Sequence, residues 1–396
     1  MTLLMAEGFT LLPQDPTKND SRSTSPLTQM GWELGEAAAA SVTEEFTKFN
    51  IIPDETFPDR NVLKVGAIAN SSTGRGVYFR YNIPEDRVPD KLLVGAVVRY
   101  VLSTTTARVS FYPAFGTINM KKVTTTGGSI QDLHEGLWIA TATGTAAGSA
   151  LPNSMGTLAL CAYWDKPGGY QNFDLVSGRD YHVETLIERD SGRIRTYIDG
   201  QLIVDYTYEG IHQEDLTKGF TFWQGGSSTP TGNYGLYSNI YAIAIDEEHP
   251  GPLGPATRVL EVPPKDDIVA QFSRDEAQYS SNAEILQNTL LDDAFLMGGN
   301  IGQHDILSLD NEKIKANSAA IHGVVAKFIV NNLDAEDHAV GLTYGNGEEQ
   351  VAPDNHDLTP TKMTIAYRDI SIDPVTGATW TPDGITNLTV GYTVNA

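Results

Sequence analysis

Cysteine is almost absent: Cys161 is the single one in 396 residues. No disulfide can close within the chain, and no cysteine-based zinc site can form, so stability has to come from burial. No run approaches the ~18 apolar residues that cross a bilayer, and the opening Met1–Glu7 lacks the basic segment and sustained apolar stretch of a signal peptide. The expectation is a chain made in a cytosol-like compartment, without membrane insertion. Basic residues are scarce, 27 Lys and Arg against 50 Asp and Glu, for a net charge of −23. Such a surface repels phosphate backbones. The densest basic stretches, Met120–Lys122 and Arg189–Arg195, are diluted by neutral or acidic neighbours, so nucleic acid is excluded as a partner.

Chemical motifs are equally thin. The eight histidines show no HExxH spacing, and neither GxxxxGK[ST] nor a GxGxxG opening a helix occurs. Asp334-Ala335-Glu336-Asp337-His338 is acidic enough to hold calcium but lacks the Gly and Glu of an EF-hand loop; a solvated loop is the expectation. Cys161 lies in the apolar run Thr157–Trp164 and reads as a small buried hydrophobe.

What the chain has in quantity is Gly, 37 residues, and Pro, 20, which rules out a coiled coil or long helical rod. Prolines crowd 250–264, which reads as an extended linker at 249–266. It divides a domain at 56–248 from a smaller one at 267–396, with residues 1–55 as an arm. Within the arm, Glu33–Lys48 carries four consecutive alanines and places Leu34, Ala38, Val42 and Phe46 at four-residue spacing, which predicts a helix. The stretch Pro13–Pro26 is polar and reads as a loop or extended arm.

From residue 76 to 245, short segments rich in β-branched and aromatic residues alternate with Gly, Asn, Asp and Pro, the pattern of an antiparallel sandwich or barrel. In Tyr181–Glu188, Tyr181, Val183, Thr185 and Ile187 face one way and His182, Glu184, Leu186 and Glu188 the other, which predicts a half-buried strand. Arg189–Gly192 and Asp199-Gly200 can close successive hairpins, so 181–208 reads as a three-stranded meander. Beyond the linker, 268–272, 319–330, 339–344, 362–372 and 387–394 read as strands, while 284–297 is ambiguous between helix and strand.

The meander, with Tyr197-Ile198-Asp199-Gly200 at its second turn and Tyr237–Ile243 as a closing strand, resembles the concanavalin-A-like (laminin-G-like) jelly-roll family over roughly residues 60–247. The stretch from Ile372-Asp373-Pro374 through Thr376-Gly377 and Trp380-Thr381 to Gly391 is similar to the endings of tailed-bacteriophage virion proteins, and Ala320–Lys327 resembles the strand before it. Asn387 departs from the alanine-type residue common there, and 275–297 fits poorly. These resemblances imply an all-β chain: a concanavalin-like antiparallel jelly-roll sandwich, a second, smaller β-sandwich domain, and a short N-terminal helical or extended arm. They also imply a virion location (head decoration, collar or tail fibre), other virion proteins as partners, and a homo-oligomer, trimeric by analogy.

On such a sheet, sugars stack on aromatic faces while amides satisfy their hydroxyls. The glycan-binding candidates are Tyr163, Trp164, Asp165, Tyr170, Asn172, Trp223, Gln224, Asn233 and Tyr234, with a host surface glycan as the expected ligand. Calcium at Asp165 or Asp199, as in some jelly-roll lectins, is the one cofactor considered. Jelly-roll glycosidases use a Glu-x-Asp-x-x-Glu pattern. Here Glu188-Arg189-Asp190 is followed by Arg193 where the final Glu belongs, so no catalytic residue is assigned and a structural, non-enzymatic role is expected. The alternative is a secreted or surface carbohydrate-binding protein or glycoside hydrolase of the same fold.

Overall fold

The computed structural model describes residues 2–9, 12, 26–37, 49–56, 60–66, 76–101, 138–141, 158–161, 171–173, 178–207, 213–225, 234–247, 250–275, 278–287, 295–317, 319–333, 336–347, 349–358 and 363–395. The chain forms two compact units: residues 14–259, and residues 1–13 together with 260–396. The architecture is all-β, antiparallel throughout its described pairings, with only short helices. No helix among the described residues is long and apolar enough to cross a membrane.

Strand β1 (Thr2–Glu7) belongs to the second unit. The first unit is an antiparallel β-sandwich. Its strands are β2 (Trp32–Ala37), β3 (Phe49–Pro53), β4 (Asn61–Gly66), β5 (Gly76–Asn82), β6 (Lys91–Val101), β7 (Trp138–Thr141), β8 (Leu158–Cys161), β9 (Gln171–Phe173), β10 (Asp180–Glu188), β11 (Arg193–Ile198), β12 (Gln201–Thr207), β13 (Gly219–Gly225) and β14 (Tyr234–Ala244). The large sheet runs β12-β11-β10-β6-β14-β4-β3, the facing sheet β13-β5-β2, and β7-β8-β9 forms a third. Alternation along the strands aims Trp32, Phe79, Phe220 and Phe222 of the smaller sheet at Tyr237 of the larger. Phe79 stacks on Phe222 at 4.9 Å and meets Tyr237 edge-on at 5.1 Å. Such pairs contribute about 0.5–1.5 kcal/mol each beyond the area they bury.

The meander is β10-β11-β12. Gly192 N–H donates to Arg189 O in the first turn, and Asp199 (φ 49°) and Gly200 (φ 80°) make the second, where positive φ at both positions matches the twist of the flanking strands.

Two expectations are corrected. The helix over Glu33–Lys48 is not formed at its start: Trp32–Ala37 is a strand paired with β5, and 38–48 lie outside the described residues. Burying Trp32 (2 % exposed) against Phe79 and Phe220 outweighs the helix propensity of Glu and Ala, a matter of tenths of a kcal/mol per residue. The 249–266 segment is not a free linker. Residues 250–259 belong to the sandwich, and β15 (Pro264–Ala270) is already a strand of the second unit. The Cys161 side chain lies outside the described residues.

The second unit pairs β15 with β16 (His304–Leu309), β22 (Leu388–Val394), β18 (His338–Asn346) and β19 (Glu349–Gln350) in that order, with β20 (Asp354–Leu358) also on β18. Opposite lie β17 (Val325–Asn331) and β21 (Met363–Asp369), paired with each other. Phe328 of β17 reaches Tyr392 of β22 at 5.2 Å. The ambiguous segment at 284–297 begins in a helix, Asn282–Gln287, whose first N–H groups at Asn282 and Ala283 donate to Asp267, and ends in an antiparallel bridge from Met297 to Ser273, with 288–294 outside the described residues. Asp305, fully buried, accepts from the N–H groups of Gln271 and Phe272, from Asn282 and from the Tyr392 hydroxyl. The phage-like ending builds a turn: Asp373 accepts from Val375 N–H, Thr376 O–H and Asn346, and the indole of buried Trp380 donates to Ile370 O at 2.6 Å. These motif residues shape backbone.

Gly95 of β6 lies beneath the Tyr241 ring so closely that an added Cβ would collide with it. Because Tyr241 is buried and hydrogen-bonded it cannot step aside. Gly95→Ala is expected to destabilise the chain by about 1–3 kcal/mol in denaturant titrations.

Candidate functional site

Directly paired residues on neighbouring strands point to the same face. Tyr237, Val98 and Tyr181 form one row facing the sandwich core. Their sequence neighbours therefore line the outer face: Arg99 beside Asp180, Val97 beside His182, Gly95 beside Glu184 and Leu93 beside Leu186. The half-buried prediction for Tyr181–Glu188 fails here, since every residue from Tyr181 to Ile187 is buried. Something covers the polar side.

At the row nearest Val101, a closed charge network does so. Arg99 grips Asp180 with Nε and Nη2 at 2.7 and 3.0 Å and reaches Asp54 with Nη1 at 3.2 Å. Arg60 closes the ring onto Asp54 at 2.6 Å and Asp180 at 3.3 Å. Burial pushes the Asp54 carboxyl up, but Thr56 N–H and the Arg60 and Arg99 guanidiniums outweigh it and hold it below the usual carboxylate range.

Further along, the cover is the chain itself. Glu184, 0 % exposed, accepts Leu253 N–H at 2.8 Å, Gly254 N–H at 2.9 Å and the Tyr241 hydroxyl at 2.8 Å. All three partners are donors, so the arrangement suits the ionised carboxylate. Val259 N–H donates to Asn239, while Pro255 packs over Gly200 and Gly251 over Leu93. Residues 251–259 thus form a strap across the outer face. Beneath it, His182 Nε2 lies 3.1 Å from Tyr241 Oη, and His182 Nδ1 is buried without a hydrogen bond. Burial pushes the His182 pKa below its ordinary 6.5, with Arg258 adding to this and Glu184 and Asp199 opposing it. Burial, and then the Glu184 charge, push the Tyr241 phenol upward.

The strap's hydrogen bonds fall at Glu184 and Asn239, while the other end of the face is marked by Gly66, Val101 and Tyr234. There Lys64 stacks on the Tyr234 ring, Nζ 4.2 Å from its centroid, and both residues are half-buried. Gly66, Val101 and Tyr234 pair at this end of the large sheet, and Ala37, Gly76 and Gly225 at the same end of the facing one. Tyr237, Phe79 and Phe222, which touch across the core, each lie three residues from it.

Of the predicted glycan-binding residues, Tyr234 is placed at this end. Trp223 and Gln224 are positioned by backbone at the same end of β13, and Asn172 lies in β9, apart from them in the third sheet; the side chains of these three lie outside the description. Tyr163, Trp164, Asp165, Tyr170 and Asn233 lie outside the described residues. Calcium does not fit at Asp199: its Oδ1 accepts His182 N–H and its Oδ2 pairs with Arg179. Among the described residues no cluster of three candidate ligands occurs. Sequence reasoning missed Lys64, Arg99, Glu184 and Tyr241. The one available signal was a charge inside an otherwise apolar strand, as with Arg99 in Leu92–Val101.

No family model matches the chain, and no curated protein matches it in sequence. Solved structures do show likeness. The lectin UEA-II, complexed with galactose, is 12% identical over 60% of this chain and 97% of its own, with a TM-score of 0.38. A carbohydrate esterase from the Shiga toxin-encoding bacteriophage phi24B is 12% identical over 61% and 97%, at 0.37. A sialidase is 15% identical over 52% of this chain but only 18% of that one, at 0.30. These similar structures are carbohydrate-binding and carbohydrate-active proteins, and at these identities and TM-scores the likeness assigns no function to this chain. The expectation of a non-enzymatic chain is corrected: a sialidase, an esterase and alginate lyases are among them, so lacking one acid pattern does not exclude catalysis, and no activity follows from the likeness.

Two outcomes are expected at the strap. Glu184→Ala should cost about 3 kcal/mol and accelerate hydrogen exchange at 253–254 at least tenfold by mass spectrometry. Because His182 stays neutral in the folded chain but protonates near pH 6.5 when unfolded, stability should fall as pH drops below that value. Denaturant titrations from pH 7 to about 5.5 should show this slope flattened in His182→Gln.

Proposed function

We propose that the chain is a virion component of a tailed bacteriophage whose sandwich unit binds host-surface glycans at the end of the large sheet that bears Tyr234. The single observation carrying the binding reading is Tyr234 itself, half-buried at the first position of β14 on the face whose middle the strap closes. An aromatic ring held on a rigid strand is the element a sugar's C–H face stacks on. The virion reading is supported by the phage-like ending, whose Asp373, Thr376 and Trp380 together build the turn before β22. It is supported too by a net charge of −23, suited to an exterior component rather than one lining DNA. Several copies per particle follow from the symmetry of such assemblies.

The purified chain, applied to a broad glycan array with product analysis, should bind a restricted set of glycans. Tyr234→Ala should weaken binding about tenfold or more, as loss of a stacking platform does. Lack of binding across the array would refute the adhesion role, and product formation would add an activity to it. Antibody against the chain should decorate phage particles in electron micrographs; unlabelled particles would refute the virion location.

A further inference from the structure

We infer that residues 251–259 are a proton-operated cover: protonation of His182 releases them from the outer face of the large sheet while the sandwich beneath stays folded.

The strap is held by polar anchors rather than by burial. Residues 250–259 are each half-buried or exposed, so lifting them uncovers little apolar surface of their own. The strap backbone reaches the sheet at two side chains. Leu253 and Gly254 N–H donate to Glu184 Oε1 and Oε2, and Val259 N–H donates to Asn239 Oδ1 at 3.3 Å. Segments attached in this way open locally at a cost below that of global unfolding. The strand beneath is different: β10 is buried from Tyr181 to Ile187 and paired on both sides, with β6 and β11.

A titratable group lies under this cover. His182, 4 % exposed, places Nε2 3.1 Å from Tyr241 Oη and keeps Nδ1 without a hydrogen bond, 3.9 Å from Glu184 Oε2. Charged groups face it from several elements. Burial, the largest effect, and Arg258 of the strap keep the covered ring neutral, against Glu184 of β10 and Asp199 of the β11–β12 turn. Asp199 is itself paired with Arg179, and Asp180 and Arg99 on the neighbouring row are closed in their own ring. Val97 of β6 and Ser238 of β14, in register with His182, carry no charge, and the Tyr241 phenol is pushed upward. Lifting the strap readmits water and takes Arg258 away, leaving two carboxylates that favour an imidazolium. The lifted state therefore takes up a proton that the covered state refuses, and falling pH favours lifting.

The test is hydrogen exchange of the full chain by mass spectrometry, divided by the intrinsic exchange rate at each pH. Peptides covering 250–260 report the strap, and peptides covering 181–188 report β10. From pH 7.5 to about 5.5, above the ordinary carboxylate range, strap opening is expected to rise roughly five- to tenfold. Tenfold is about the ceiling for one group whose ordinary pKa is 6.5. The β10 peptides should stay protected throughout. His182→Gln, which cannot take the proton, should make strap opening independent of pH. Arg258→Gln, altered at an exposed position, should reduce the rise whatever its level at pH 7.5, because the covered ring then accepts the proton more readily. Thermal melts verify that both variants fold. A rise under twofold in the unaltered chain, or one that β10 shares in step, would overturn the inference. So would a full rise surviving in a folded His182→Gln.

Discussion

A carboxylate withdrawn from water has to be given donors, and the fully buried Glu184 receives three: one hydroxyl and two consecutive backbone N–H groups. Left unpaired in that position, its charge would cost several kcal/mol. That requirement fixes the path of residues 251–259, because two adjacent amides can converge on one carboxylate only if the segment crosses the sheet at that row. It also decides which part of the outer face the strap covers, the rows of Glu184 and Leu93.

The same face handles polarity in two ways. Arg99, Arg60, Asp54 and Asp180 satisfy one another in a ring, so their charges cancel and their donors and acceptors are consumed. Glu184, Tyr241 and His182 are satisfied by the chain folding over them, apart from His182 Nδ1. At the end of the face that bears Tyr234, Lys64 lies on the aromatic ring.

Part of this was legible in the linear chain. The meander could be read because Asp199-Gly200 and Arg189–Gly192 encode local turns, and a local turn fixes the register of its flanking strands. Tyr234 could be named because an aromatic beside Gly and Asn at a strand end is a local feature as well. The alanine run after Glu36 misled, since propensity is a weak force beside the burial of Trp32 against the rings of Phe79, Tyr81 and Phe220. The covered polar face was not legible: Glu184 and the amides it binds are separated by some seventy residues, and no pattern within either segment announces the other.

The sequence by itself determined the antiparallel β class, the position of the tight turns and the exclusion of disulfide and phosphate-backbone chemistry, because alternation, turn residues, cysteine number and net charge act locally or sum over the chain. Tertiary structure decided which polar residues are buried and that proline-rich residues 251–259 serve as a cover rather than a free spacer. Those outcomes depend on pairings between distant segments, where the cost of desolvation is either met by a partner or avoided by staying in water.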